Sequence, residues 1–270
     1  MNVCYKLGFF DNIIETFLER MEPIYKVVPA TSFGFAAVIN SLTALLISFI
    51  LYISVDPSFS LFTHWISHLG AGPNGSNIIF NAGICITSVL LFLFYMYFIK
   101  DFRKRGAKKI LTDLFFLSTI GTCLGLFLVA LFPYEIVILH SIAAFTFFIS
   151  GLLSSILYAV LILITKGSKK VQALFALITT GFLCFHLIIS IVPAFSIDLD
   201  SRIAVFSEWL SLFAMLALII EVGFYHIPEQ KLFYKRMVAI IIDKNNYNLE
   251  NVKKLKKHFK ALYENKYLLI

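Results

Sequence analysis

The sequence predicts an all-α, polytopic membrane helix bundle with six transmembrane helices and both termini in the cytoplasm, and three observations predict it. The 270-residue chain is 59% hydrophobic and only 14% charged, where a soluble domain holds about 45–50% and about 25%. Six apolar runs each exceed the length that ~30 Å of hydrocarbon requires at ~1.5 Å per residue. Finally, the lysines and arginines outside those runs fall into alternate segments of the chain.

The runs cover Val27–Val55, Asn77–Ile99, Ile110–Phe132, Ile136–Ile164, Val171–Val192 and Ile203–Phe224. Lipid cannot satisfy free backbone groups and the runs do not alternate with period two, so helices are predicted rather than barrel strands. Six spans leave little chain for a separate catalytic domain, so any chemistry must come from the helices and their loops. Of the 23 Lys and Arg residues, 22 lie before the first span, in the second and fourth loops, or in the tail. Only Arg202 lies in the first, third or fifth loop. Positive residues concentrate on the cytoplasmic side, which sets the orientation, and a wrong span count would have mixed the two groups. The +7 net charge therefore marks the inner face of a cell membrane, and no nucleic acid is expected as a partner.

Both flanks look like surface anchors. Residues 1–26 include Ile13, Ile14, Phe17 and Leu18 at helical spacing, the pattern of a cytoplasmic interfacial segment. Residues 225–270 form a basic amphipathic tail in which Lys253, Lys254, Lys256, Lys257 and Lys260 alternate with Leu249, Val252, Leu255, Phe259 and Leu262, suited to an anionic inner leaflet. The four cysteines include no CxxC pair and read as small apolar residues. Gly121 and Gly125 form a GxxxG that fits internal helix packing.

Polar residues inside a span are costly and so point to function. Asn40 and Ser41 fit hydrogen bonds between helices, while Asp113 and Glu221 lie near inner ends, where water or lysine is in reach. Asn81, His140, His186 and Glu208 fall on four spans, all within about 10 Å of the outer boundary at ~1.5 Å per residue. The first outer loop adds His64, Ser67 and His68, followed by the turn-forming Gly70, Gly72 and Pro73. A loop carrying Phe59, Trp65, Ile66 and Leu69 is too apolar to float in water, and it reads as a lid over an outward polar pocket.

His64 and His68 are four apart, a ligand spacing that His140 could extend. Zinc takes three or four ligands at about 2.0–2.1 Å, and HxxxH supplies two, so neither a metal nor another cofactor is expected. His140-Ser141 lies in no GxSxG elbow, which argues against a serine hydrolase.

Several of these residues resemble a known family. Ile66-Ser67-His68-Leu69-Gly70 with Gly72-Pro73 and Phe80-Asn81 resembles the ISDLG…GP…FN stretch of the prokaryotic domain-of-unknown-function family 998. Leu131-Phe132-Pro133, His140, Ala143 and Phe147-Phe148 resemble its FP…H…A…FF stretch. Ser207-Glu208-Trp209 is similar to the SEW of the eukaryotic DRAM/Frag/Sfk membrane proteins. The resemblance spans residues 30–225 and implies six helices, an outer polar cluster and a role near lipids. His68 departs from it, standing where the pattern has Asp.

The sequence thus favours a membrane protein that interacts with lipid or glycolipid head groups at an outer pocket of His64, Ser67, His68, Asn81, His140, His186 and Glu208. The alternatives are a membrane-embedded, metal-assisted lipid-modifying enzyme using the histidines and Glu208, and a small transporter, against which stands the lack of an inverted repeat. Membrane lipids are the expected partners, and no pattern specifies an oligomeric state.

Overall fold

A computed structural model describes residues 2–191 and 200–226. Its elements are α1 (Asn2–Val27), α2 (Ala30–Ile53), a 3-10 turn (Ile66–Ala71), α3 (Ser76–Lys104), α4 (Lys109–Leu131), α5 (Val137–Ile164), α6 (Val171–Ile191) and α7 (Ser201–Tyr225). The six helices α2 to α7 are each long and apolar enough to cross a membrane, and their bounds match the six predicted runs to within a few residues except at the end of α3. That helix runs on to Lys104, past the expected Ile99, and carries Lys100 and Arg103 into ion pairs. The basic tail predicted over 225–270 lies outside the described residues from position 227 onward.

Consecutive spans pack side by side, and α2 also packs against α7, which closes the bundle. Helix α2 buries small residues and exposes large ones. On α2, Gly34, Ala37, Ser41, Ala44 and Ser48 face inward, while Ile39, Leu46 and Ile50 face outward. Lipid is as apolar as leucine, so close backbone approach and polar contacts replace the hydrophobic drive between spans. A Cβ on Gly83 would stand 2.2 Å from that of Ala44, and one on Gly125 would stand 2.4 Å from the backbone nitrogen of Phe147. The GxxxG pair thus serves packing of α4 against α5, since a Cβ on Gly121 would meet Ser150 of the same partner.

Hydroxyl and amide groups join the spans at several levels. Asn40 Nδ2 donates to Gly83 O at 2.7 Å and to Thr87 Oγ1 at 2.9 Å. Ser154 of α5 donates to Ser118 of α4 at 3.0 Å, and Ser211 of α7 to Phe182 O of α6 at 2.9 Å.

The Lys- and Arg-rich end of the bundle, called here the basic end, is tied by charge. Arg103 pairs with Asp113, so this carboxylate has an arginine partner rather than water. Lys100 pairs with Glu22 of α1 at 2.7 Å, and Tyr25 Oη donates to Leu93 O at 2.7 Å. Ile14 and Leu18 of α1 are buried in the core, and Phe17 meets Phe92 of α3 edge-on at 5.6 Å. The face expected to lie in the interface thus packs in part on the bundle.

Glu221 differs from its expectation. It is buried, and neither carboxylate oxygen has a hydrogen-bond partner. The same holds for the nearby hydroxyl of Tyr158, which lines a cavity of about 30 Å³ between α3, α5 and α7.

Gly125→Ala is expected to destabilise the protein by about 1–3 kcal/mol, the usual penalty for overpacking. The added methyl group meets backbone, which cannot rotate aside. Thermal melting in detergent checks this, with a lower melting temperature expected.

Candidate functional site

The end of the bundle opposite the basic end is built around the 3-10 turn, and side chains of the spans satisfy both of its ends. A helix start leaves backbone N–H groups without internal partners, and a helix end leaves carbonyls. At the start, the N–H of Ile66 donates to Glu208 Oε2 of α7 at 2.8 Å. At the other end, Leu69 O accepts from Ser76 Oγ at 3.0 Å and Gly70 O from Asn81 Nδ2 at 2.9 Å, both on α3. The turn is therefore held between two helices that are far apart in sequence.

Three consecutive residues of α7 provide most of the α7 side. Trp209 Nε1 donates to His64 O at 2.9 Å, two residues before the Glu208 contact. Ser207 Oγ donates to Ala204 O at 2.7 Å and lies 2.9 Å from His186 Nδ1 of α6. The hydroxyl's one proton is used, so His186 is the donor to it and carries its proton on Nδ1. Ser207, Glu208 and Trp209 are all buried, which a helix permits only where it is surrounded.

The loop's apolar residues pack as expected. Phe59, Ile66 and Leu69 are buried, Phe59 stacks on His64 at 4.7 Å, and Phe62 stacks on Phe206 of α7 at 5.0 Å. The chain reverses into α3 at Asn74 and Gly75, with φ of 56° and 80°, the left-handed region where glycine carries no strain. Gly70 and Gly72 have another reason to be small. A Cβ on Gly72 would stand 2.4 Å from the Tyr52 ring, and one on Gly70 would stand 2.6 Å from Asn81 Oδ1. Pro73 starts the reversal, its carbonyl accepting from Ser76 N–H at 3.0 Å.

Of the seven expected pocket residues, three meet at one cavity. Ser67, His140 and Glu208 line a space of about 40 Å³ beneath the turn, with Phe80, Phe147 and Phe148 among its apolar walls. His140 Nδ1 donates to Phe132 O at 2.7 Å, which fixes its tautomer because a carbonyl only accepts.

The other four point elsewhere. His186 meets Ser207 and the ring of Phe148 at 4.3 Å. Asn81 holds the turn. His64 meets Thr63 Oγ1 at 2.8 Å and Phe59. His68 sets its ring edge-on to Tyr134 at 4.3 Å, and Tyr134 in turn meets His140 at 5.8 Å. A chain of rings thus runs from His64 through His68 and Tyr134 to His140. Tyr134 was not singled out in the sequence, although an aromatic residue in so short a third loop was a signal. Among the described residues no three His, Cys, Asp or Glu side chains are placed to hold a metal ion, so His64, His68 and His140 are ring neighbours and not a ligand set.

Burial, reinforced by repulsion from His64 and His140, lowers the His68 pKa to about 4. The imidazole is neutral at pH 7, so it acts here as an aromatic ring and not as a replacement for a charged aspartate. An unfolded histidine titrates near 6.5, so its neutral form favours the fold fully above that value. This contribution is lost as pH falls from about 6.5 towards 4, because the unfolded chain takes up a proton that the folded chain refuses. The melting temperature is expected to fall between pH 7 and pH 4. His68→Phe, which keeps the edge-on contact with Tyr134, is expected to show a smaller fall across the same range.

With this geometry in view, the chain can be set beside known proteins. No curated protein and no solved structure matches it. A family model described as protein of unknown function (DUF998) matches residues 38–225. This match begins in α2 and ends with α7, and it includes the turn, the cavity, most of α2 and the five later spans. The chain is a member of the DUF998 family of membrane proteins.

Proposed function

We propose that the protein is a multi-pass protein of the cell membrane whose cavity at the loop end binds the terminal polar part of a lipid or glycolipid head group. The observation that carries this reading is the meeting of Ser67, His140 and Glu208, from the turn, α5 and α7, at one cavity with aromatic walls. Such a mixture of a few convergent polar groups and an apolar lining is what small-molecule sites are made of. The cavity lies at one end of the six apolar helices, which supports a site at head-group depth. The 22-to-1 partition of basic residues supports cytoplasmic termini and, with them, a cavity on the outer side. The same partition supports contact of the basic tail with an anionic inner leaflet. The likeness of Ser207-Glu208-Trp209 to the DRAM/Frag/Sfk proteins, some of which act in glycolipid-anchor remodelling and phospholipid distribution, points the same way.

A second reading, a membrane-embedded lipid-modifying enzyme, has one observation in its favour. A hydroxyl, an imidazole and a carboxylate line the same cavity. Against it, the hydrogen bonds of His140 and Glu208 go to Phe132 O and Ile66 N–H, and neither side chain is hydrogen-bonded to Ser67.

Ala144→Leu tests the binding reading, because Ala144 lines the cavity and a leucine side chain there would occupy it. Protein exchanged exhaustively into detergent is expected to retain a lipid that the variant does not, with the variant melting at the same temperature or higher. Equal retention by both, measured by mass spectrometry of extracted lipid, would count against the cavity as the site.

A further inference from the structure

The cavity's chemistry narrows what it can hold, and this step rests on the reading of it as a head-group site. We propose that it takes a primary ammonium on a short alkyl chain, such as the aminoethyl end of a head group, with Glu208 as its counter-ion. The Glu208 carboxylate is buried, and its hydrogen bond in the fold is the one from Ile66 N–H. The ion pairs among the described residues involve Glu15, Glu22, Asp101, Asp113 and Asp200, and none involves Glu208. A carboxylate enclosed in a membrane bundle with one donor and no cation is costly, and a ligand cation removes that cost.

The surroundings offer no protein cation in its place. No Lys or Arg occurs from residue 56 to residue 99. Arg202, at the start of α7, is exposed and paired with Asp200 at 3.2 Å. His68, in the turn above, is neutral at pH 7. The remaining polar groups of the cavity are suited to receive hydrogen. With its Nδ1 proton given to Phe132 O, a neutral His140 has Nε2 as an acceptor. Ser67 adds a hydroxyl that can accept, and the rings of Phe80, Phe147 and Phe148 present faces that attract a cation.

Size sharpens the choice. A space of about 40 Å³ holds roughly three water-sized groups, which matches one nitrogen and two carbons. A trimethylammonium group is larger and has no N–H to donate. A phosphate is larger still, is anionic, and finds a carboxylate where it needs an arginine. The expected order is therefore primary amine first, N-methylated amines progressively weaker, and quaternary or anionic groups last.

The test uses the intact protein in nanodiscs of phosphatidylcholine, supplied with phosphatidylethanolamine, its N-methyl and N,N-dimethyl forms, or phosphatidylglycerol. Native mass spectrometry reads the retained lipid, and thermal melting reads the fold. Retention is expected to fall with each methyl group and to be lowest for phosphatidylcholine and phosphatidylglycerol. Glu208→Gln keeps an oxygen for Ile66 N–H, so it is expected to fold while retaining about tenfold less phosphatidylethanolamine, a loss of about 1.4 kcal/mol. The methylation series on the parent protein decides the matter if that variant does not fold. Equal retention across the methylation series, or by folded Glu208→Gln, overturns the ammonium assignment and leaves the head-group reading standing. Soluble ethanolamine that raises the melting temperature where phosphatidylethanolamine does not supports the ammonium chemistry and overturns the lipid source. Retention of no lipid and no response to soluble ethanolamine overturns both.

Discussion

A carboxylate inside a membrane bundle needs a donor, and the start of a short helix outside the spans needs an acceptor. The contact between Glu208 and Ile66 N–H answers both needs at once, and the loop end is organised around it. Because the donor is backbone, the contact fixes the chain's path and not merely a side-chain rotamer. Trp209 adds a second bond two residues away in the loop, and Ser76 and Asn81 of α3 hold the other end of the turn. The loop is thus a fixed cover, and Glu208 is both its fastening and the acid of the cavity it closes. A charged hydrogen bond in a low-dielectric setting is stronger than one in water, which suits it to that double role.

The two ends of the bundle solve different problems. The basic end is joined by ion pairs between charged residues near water, such as Lys100 with Glu22 and Arg103 with Asp113. Pairs of this kind contribute little energy individually, and here they set where α1 lies. The loop end carries a single Lys or Arg, Arg202, and is joined by backbone groups, hydroxyls and rings. Glu221 is the exception at the basic end, a buried carboxylate on the same helix as Glu208 and without its hydrogen bond.

Much of the fold was legible in the sequence because lipid imposes a simple rule. Six runs had to be helices, and five of them ended close to where the apolar residues ran out. The end of α3 was not legible because Lys100 and Arg103 continue the helix by pairing with acids, one of them on α1. For the site, residue type and depth pointed to the loop end of the bundle, and three of the seven residues, Ser67, His140 and Glu208, share a cavity there. What could not be read was direction. His186 and Asn81 sit at the expected depth, but a rotation of a helix by a fraction of a turn decides whether a side chain faces a cavity or a neighbouring backbone. The glycines carried a similar ambiguity. Gly70 and Gly72 looked like turn formers, and they are small because Asn81 and Tyr52 press against them. Glu221 differs for another reason: nearness to a span's end gives no access to water where neighbouring helices pack over the side chain.

The central claim is that Glu208 fastens the turn to α7. Amide hydrogen exchange at Ile66 in the bilayer-embedded protein tests it most directly. This amide is expected to be protected to a degree comparable with amides inside the spans, while the loop amides of Leu61 and Trp65, for which no carboxylate is in place, exchange faster. An Ile66 amide that exchanges as fast as those neighbours would contradict it.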